Sequence, residues 1–362
     1  MGYEVDFIGV GQESQSGDAI VIRYGNLHGG RKEQTVVVID GGFKDDGQRI
    51  VDHITTHYKT DTVDLVISTH PDQDHINGLE TVINELTVKA LWMHLPWDHN
   101  QGLADKFHDG RITDNSISEK LKATLNKAHE MYEMAISKGI PVCEPLTGLT
   151  HSSGNLKVLG PSQNYYEELI PEFDGMPESK RADSMFESII SKSMGVLKRF
   201  FAKWGVDQIF DDGKTSAKNN SSVITQIIVD GKRLVFTGDA GIDALEHAAD
   251  QLARCFDPAQ ISLIQIPHHG SRRNVGPTVL NRIIGHPISE GEARSFVAIA
   301  STAKQGEPKH PRKAVLNAFT HRGGKVLATR GNAIRHNFNA PGRPGWISLD
   351  PEPYHHEYEE EA

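Results

Sequence analysis

Apolar residues, alternating or continuous, fill positions 3–10, 19–25 and 34–40 between Gly-containing turns, which predicts three opening strands. Val63-Asp-Leu-Val-Ile67 and Val88-Lys-Ala-Leu-Trp92 predict two more, the first buried. Elsewhere the spacing lengthens to three and four. Ile50, Ile54 and Tyr58 mark a helix over Gln48–Tyr58, and Leu79, Val82, Ile83 and Leu86 mark one over Asn77–Leu86. Leu121, Leu125, Ala128, Met131 or Tyr132, and Ala135 predict a single long helix over Ser116–Lys138. The second half returns to strands: Pro141–Pro145, Leu156–Leu159, Ser222–Val229, Arg233–Thr237, Ile261–Ile266, Phe296–Ser301, Lys325–Ala328 and Trp346–Leu349. Asp230-Gly231 is the turn of a hairpin among them. Pro311–Thr320 reads as a helix with proline in its first turn. Phe186, Ile189, Ile190, Leu197, Phe200, Phe201 and Trp204 fall at helical spacing and predict a docked helix within an insertion at 163–218. The last residues, Glu357-Tyr-Glu-Glu-Glu361, are acidic and predict a disordered tail over 351–362.

Chemistry concentrates in Ser68-Thr-His-Pro-Asp-Gln-Asp-His-Ile-Asn-Gly78, between the strand ending at Ile67 and the following helix. It places His70, Asp72, Asp74 and His75 within six residues. Imidazoles and carboxylates crowded at a strand end are costly to place without a partner, and a divalent cation is the ordinary partner of neutral His and ionised Asp. One turn cannot aim all four side chains at one ion. The alternation therefore predicts a first metal held by His70 and Asp72 and a second held by Asp74 and His75. Val36-Val-Val-Ile-Asp-Gly-Gly42 ends a strand in Asp40 and two glycines, which predicts a backbone passing close to this site, with Asp40 as a further metal or supporting group.

Net charge is −10, with 24% charged and 37% hydrophobic residues. A nucleic-acid coat or membrane-surface protein carries a basic excess, so both classes are excluded, although a local basic cleft is not. Cys143 and Cys255 stand far apart, which excludes a disulfide scaffold or thiolate zinc site and predicts two buried thiols in a reduced compartment. The chain enters Tyr3-Glu-Val-Asp-Phe-Ile8 directly, so no signal peptide is expected. No apolar run reaches the ~18 residues needed to span a bilayer. The expected location is cytoplasmic.

The His-x-Asp-x-Asp-His pattern resembles the signature of the metallo-β-lactamase superfamily, with Asp72 where most members have His. That variant looks like the hydrolase domain of ComEC-type DNA-uptake proteins and their free-standing relatives. Gly9-Val-Gly-Gln12 and Gly17-Asp-Ala-Ile20 resemble the family's opening Gly-Gln-Gly-Asp-Ala, split by four residues. Lys309-His-Pro-Arg-Lys313 and Gly324-Lys-Val326 resemble its Gly-His-Pro and Gly-x-Val elements. The resemblance implies an α/β four-layer αββα sandwich over 1–350, with helical insertions near 98–140 and 163–218. It implies that Asp239, in Thr237-Gly-Asp239, bridges two divalent ions, zinc or manganese. It also implies a last metal histidine in Ile266-Pro-His-His-Gly-Ser271. Either His268 or His269 fits; the reading favours His268 as ligand of the second metal and His269 as a supporting or substrate group. The superfamily's usual histidine 20–30 residues before the bridging Asp is missing, and Lys218-Asn-Asn-Ser-Ser222 stands there. The first metal is then expected to be ligand-poor, with Asn220 or water completing it.

These readings point to metal-assisted hydrolysis in which Asp74 holds the attacking hydroxide as well as a metal. His310, beside a helix N-terminus, is the candidate general acid. Arg272, Arg273 and Arg312 adjoin the ligand motifs and predict a phosphoester substrate, a nucleic acid or nucleotide phosphodiester first. Hydrolysis of a small phosphorylcholine-type ester is the second reading, and a metal-stabilised component of a larger assembly, with a protein partner, the third. Lys192, Lys198, Arg199 and Lys203 are read as a solvated face or as a lid over a polyanion.

Overall fold

The computed structural model describes residues 1–11, 14–180, 197–254, 260–305 and 310–361. Its core is a pair of sheets. The first has seven strands in the order Ile334–Phe338, Gly2–Phe7, Ile20–Gly25, Gln34–Ile39, Leu65–Ile67, Leu91–Trp92 and Val142–Cys143. The second has six, in the order Lys325–Ala328, Val297–Ala300, Gln260–Gln265, Lys232–Phe236, Ile224–Val229 and Leu156–Gly160. Alternation along each strand sends one set of side chains inward. Tyr3, Phe7, Ile22, Val37 and Ile67 of the first sheet meet Ile227, Leu234, Phe236, Leu263 and Ile299 of the second in a fully buried layer. Each such side chain contributes about 1.5–3 kcal/mol by leaving water.

The outward sets are also apolar, so each sheet is covered by helices. Val36, Val38 and Val66 pack under Asp46–His53, Leu79–Glu85 and Asn126–Ser137. Ile264, Ala298 and Val326 pack under Ile242–Arg254, Pro277–Ile284 and Lys313–Thr320. The result is the four-layer αββα sandwich expected.

Several local expectations are corrected. The helix expected over Ser116–Lys138 is two helices, Asp114–Thr124 and Asn126–Ser137, broken at Leu125 with φ −105° and ψ 39°. Leu197–Phe201 is a strand, not part of a helical stripe; Phe186, Ile189, Ile190 and Lys192 lie outside the described residues. Its partner is Glu357–Glu361, the segment expected to be disordered, so the acidic stretch is ordered by pairing with the basic strand. Trp346–Leu349 forms no strand; the edge of the first sheet is Ile334–Phe338 instead. Cys143 is exposed rather than buried, and Cys255 lies outside the described residues. Among the described residues, no helix is long and apolar enough to cross a membrane.

The parallel strands set the place of the site. Gln34–Ile39, Leu65–Ile67 and Leu91–Trp92 run parallel in one sheet, and Lys232–Phe236, Gln260–Gln265, Val297–Ala300 and Lys325–Ala328 run parallel in the other. Their C-terminal ends reach a common edge. Asp40, His70, Asp239, His268 and Ser301 all follow such ends. Val223 N–H donates to Thr69 C=O at 3.0 Å, and His268 N–H to Gly238 C=O at 3.1 Å, tying the loops across the gap.

Candidate metal centre

Asp239 is the centre of the group. It is 3% exposed, and its two carboxylate oxygens face different partners. His70 Nε2 and His268 Nε2 lie 3.9 and 3.5 Å from Oδ2. His75 Nε2 and His269 Nε2 lie 3.3 and 3.9 Å from Oδ1. Asp72 Oδ2 joins the first set, 3.7 Å from His70 Nε2. Asp74 Oδ2 joins the second, 3.7 Å from His75 Nε2 and 3.5 Å from His269 Nε2. Each oxygen of Asp239 thus belongs to a group of two imidazoles and one further aspartate.

Backbone constraints produce this division. His268 and His269 both adopt left-handed φ, 47° and 56°, in a tight turn after Gln260–Gln265. That conformation is costly for non-glycine residues and is held here by the surrounding structure. It places the two neighbouring rings 5.7 Å apart at 78° to each other. Asp40 has φ 57°. A Cβ on Gly78 would sit 1.9 Å from Gly41 C=O, so only glycine lets the 40–42 turn lie against the metal loop.

Each ring is fixed through Nδ1, leaving Nε2 for the cleft. His75 Nδ1–H donates to Asp40 Oδ2 at 2.7 Å. Thr69 Oγ–H donates to the same oxygen at 2.6 Å, so its lone pairs are left to accept from His70 Nδ1–H at 3.0 Å. His269 Nδ1–H donates to Ser301 C=O at 2.9 Å. His268 Nδ1 lies 3.0 Å from both Asn274 Oδ1, an acceptor, and the Asn219 amide, a donor, so this ring is held at Nδ1 by two side chains of opposite character. Among the described residues, His70 Nε2, His75 Nε2, His269 Nε2 and Asp239 Oδ1 are buried with no hydrogen-bond partner. Buried polar atoms are nearly always paired. Four orphans pointing at one small space therefore call for a ligand.

The charges agree. Burial penalises the charged form of His75, but Asp239, Asp74 and Asp40 outweigh it and hold its pKa well above the ordinary value. His269 is likewise lifted to about 9 against burial, by Asp239, Asp74 and Asp18. Burial also opposes ionisation of Asp239, yet His268, His75 and His269 hold it well below the carboxylate range. The cleft demands positive charge. Divalent ions satisfy that demand and the orphaned nitrogens together. Two donors about 2.0–2.2 Å from a tetrahedral ion stand roughly 3.3–3.6 Å apart, close to the separations found. The donor set fits a divalent metal beside Asp239.

Some expectations change. His269, not His268, is grouped with Asp74 and His75, while His268 stands with His70 and Asp72. The first group is therefore not ligand-poor. Asn220 takes no part in it: its Oδ1 accepts from Gly241 N–H at 3.1 Å. Asp40 supports His75 rather than facing the cleft. His310 borders the site, its ring 5.9 Å from His268 and 6.4 Å from His269. Burial, with His269, His268 and Arg312, pushes its pKa down to about 3, so the ring is neutral at pH 7. A neutral imidazole suits a hydrogen bond to substrate better than proton delivery from imidazolium. Arg273 is exposed; Arg272 and Arg312 are half-buried and act on Glu360.

Two residues were missed. Asp18 is buried, with Oδ2 accepting from Gln265 Nε2 at 2.9 Å. Asp18, His75, Asp239 and His269 each offer an atom within 4.8 Å of the others, and burial above all raises Asp18 to about 6. Its signal was the Gly17-Asp-Ala motif. Lys218 Nζ reaches Asp72 Oδ1 at 2.8 Å. It lies in Lys218-Asn-Asn-Ser-Ser222, the stretch lacking the superfamily histidine.

Residues 17–126 match the family described as the metallo-beta-lactamase superfamily. No curated protein matches the chain. Among solved structures, a metallo-β-lactamase-type protein of Thermotoga maritima is similar at 10% identity and TM-score 0.36, over 70% of this chain and 93% of its own. A metallo-β-lactamase from Pontibacter korlensis is similar at 14% identity and TM-score 0.30, over 67% and 78%. One from Hirschia baltica shares 11% identity at TM-score 0.27, over 70% and 81%. Likeness at this level carries no information about substrate, and no resemblance to ComEC-type proteins emerges from it.

Proposed function

We propose that this chain works as a hydrolase of the metallo-β-lactamase superfamily, with two divalent ions, zinc or manganese, and a phosphodiester of nucleic acid or a nucleotide as substrate. The observation that carries the two-metal reading is the division of partners between the oxygens of Asp239. On this reading His70, Asp72 and His268 would hold one ion, Asp74, His75 and His269 would hold the other, and Asp239 would serve both. Two imidazoles with two carboxylate oxygens at each position suit zinc or manganese. When bound, the ions supply Lewis acidity, making water more acidic and offsetting charge that develops on an ester oxygen.

The chain's own residues do the rest. Asp40, Thr69 and Ser301 C=O favour, in His75, His70 and His269, the tautomer that leaves Nε2 bare, and Asn219 and Asn274 flank Nδ1 of His268. On this reading Asp74 ligates through Oδ2 and holds the proton of an attacking water with its other carboxylate oxygen. Lys218 anchors Asp72 and brings positive charge to the rim. His310, neutral, lies on the His268 side, where it would hydrogen-bond the leaving oxygen. The phosphodiester reading is supported by Lys218 and His310 at the cleft, and by Arg272 and Arg312 two or three residues along the chain from His310 and His269.

The test is incubation of zinc- or manganese-loaded protein with single-stranded DNA, RNA, cyclic nucleotides, bis(p-nitrophenyl) phosphate and a p-nitrophenyl carboxylate ester. The proposal expects metal-dependent cleavage of at least one phosphodiester. Cleavage of the carboxylate ester alone would refute the substrate class and leave the hydrolase.

A further inference from the structure

Asp18 belongs to neither ligand set assigned above, yet its surroundings are those of a ligand. It is 1% exposed, and its Oδ1 has no hydrogen-bond partner among the described residues. An ionisable group buried so deeply is normally paired. The other oxygen fixes which way the carboxylate points. Gln265 Oε1 accepts from the Thr237 and Gly238 amides at 2.9 and 3.1 Å, so its NH₂ end faces Asp18 and donates to Oδ2 at 2.9 Å. Oδ1 is the oxygen left over. Asp18, His75, Asp239 and His269 each offer an atom within 4.8 Å of the others. Each of the four also carries a buried orphan: Asp18 Oδ1, His75 Nε2, Asp239 Oδ1 and His269 Nε2. Donors about 2.0–2.2 Å from one ion stand at most roughly 4.4 Å apart, so this group closes on a single ion with little movement.

The backbone holds Asp18 in that place. Asp18 N–H donates to Asp74 C=O at 3.1 Å, and Gly42 N–H donates to Asp18 C=O at 2.7 Å. Ser301 Oγ–H donates to Gly17 C=O at 2.7 Å, and the Ser301 carbonyl is the one that holds His269. The segment is thus tied to the metal loop, to the Asp40 turn and to the support of a metal histidine. A Cβ on Gly17 would fall 2.5 Å from Asp74 C=O, so the close approach depends on glycine there. Asp74, by contrast, has a side chain 30% exposed. One carboxylate reaches the group from the buried side and one from the solvent side.

We infer that Asp18 ligates, through Oδ1, the ion held by His75, His269 and Asp239, and that it makes this position richer in oxygen than a tetrahedral site. The inference rests on the metal reading above and adds a ligand to it. With Asp74 included, the position has two imidazoles and three carboxylates. A tetrahedral zinc site is complete with four donors, whereas carboxylate-rich positions of higher coordination suit manganese. Asp18 therefore matters more for manganese than for zinc.

The test is calorimetric titration of the metal-free full chain with Mn²⁺ and with Zn²⁺, which is read without turnover. In Asp18→Asn the amide oxygen keeps the bond from Gln265, and an NH₂ group, a donor, takes the place of Oδ1. Loss of a group that merely supports a ligand costs ~10–100-fold in affinity. Loss of a ligand should weaken one Mn²⁺ step by about 100-fold or more, with the Zn²⁺ loss at least about tenfold smaller. An equal loss for both ions would overturn the inference, because removing one charge near a dication weakens either ion alike. Unchanged Mn²⁺ binding would overturn it too. A wild-type chain that binds neither ion would overturn it together with the metal reading. Crystals of the manganese-loaded wild type give a second measurement that needs no variant. Asp18 Oδ1 should lie within about 2.5 Å of an ion, as oxygen ligands of hard divalent cations do, and a separation beyond about 3.5 Å from every ion would contradict the assignment.

Discussion

Asp40 never faces the cleft, yet it orients two of the histidines that do, His75 directly and His70 through Thr69. Its Oδ1 accepts from Thr69 N–H at 2.8 Å, and its Oδ2 accepts from Thr69 Oγ–H at 2.6 Å and His75 Nδ1–H at 2.7 Å. Every partner is a donor. Asparagine in its place has one oxygen and one NH₂, so a donor must face a donor on one side. If the oxygen keeps Thr69 N–H, the NH₂ faces His75 Nδ1, and the ring relieves the clash by moving its proton to Nε2. A protonated Nε2 cannot ligate. Asparagine tolerates left-handed φ well, so the change at φ 57° adds no backbone strain and the effect is electronic. Loss of such a support typically lowers metal affinity by ~10–100-fold. That corresponds to roughly 1.4–2.7 kcal/mol. Competition against a chromophoric chelator measures it. Asp40→Asn should weaken at least one zinc-binding step by this factor, because His75 loses its acceptor directly and His70 loses the ordered Thr69 hydroxyl that accepts its Nδ1–H. Two unchanged steps would refute the orienting role.

Other outcomes follow from the same geometry. His268→Ala and His269→Ala should each lower metal content from about two ions per chain to about one, read by elemental analysis after dialysis; full content in either removes that histidine from the ligand set. His99 lies 2.9 Å from both Glu144 and Glu167, and its pKa is raised to about 9, first by its bond to Glu144. A raised folded-state pKa stabilises fully below the unfolded value near 6.5, and the contribution fades as pH rises through 9. Denaturant midpoints at pH 6 and 9.5 should show that loss, and His99→Gln should remove it; an identical slope in the variant contradicts the assignment. Gly78→Ala forces a Cβ to 1.9 Å from Gly41 C=O and should cost about 1–3 kcal/mol in urea unfolding. A neutral result would mean that the metal loop and the Asp40 turn separate freely.

The sandwich was legible because its strands are dense in Val, Ile and Phe, and because His70 comes three residues after the buried strand Leu65–Ile67, with Asp72, Asp74 and His75 close behind. What periodicity cannot carry was misread. The aim of His268 and His269 depends on two successive left-handed residues, which leave no mark in apolar spacing. Leu197–Phe201 has its apolar residues at both ends, so spacing alone fitted a helix, and its true state depends on a partner 160 residues away. Glu357–Glu361 reads as disordered on composition, yet its charge is matched by Lys198 and Arg199. Ile334–Phe338 contains Arg335, His336 and Asn337 and resembles a loop, but it forms the edge of the first sheet by pairing with Gly2–Phe7. Asp40, Thr69 and Asn274 act on histidines distant in sequence, so only the folded chain reveals them.

The most direct measurement of the central claim is an anomalous difference map from crystals of the zinc-loaded protein. The account predicts two peaks flanking Asp239, one among His70, Asp72 and His268 and the other among Asp74, His75 and His269. A single peak, or two peaks that both fall on the His75 and His269 side, would contradict it.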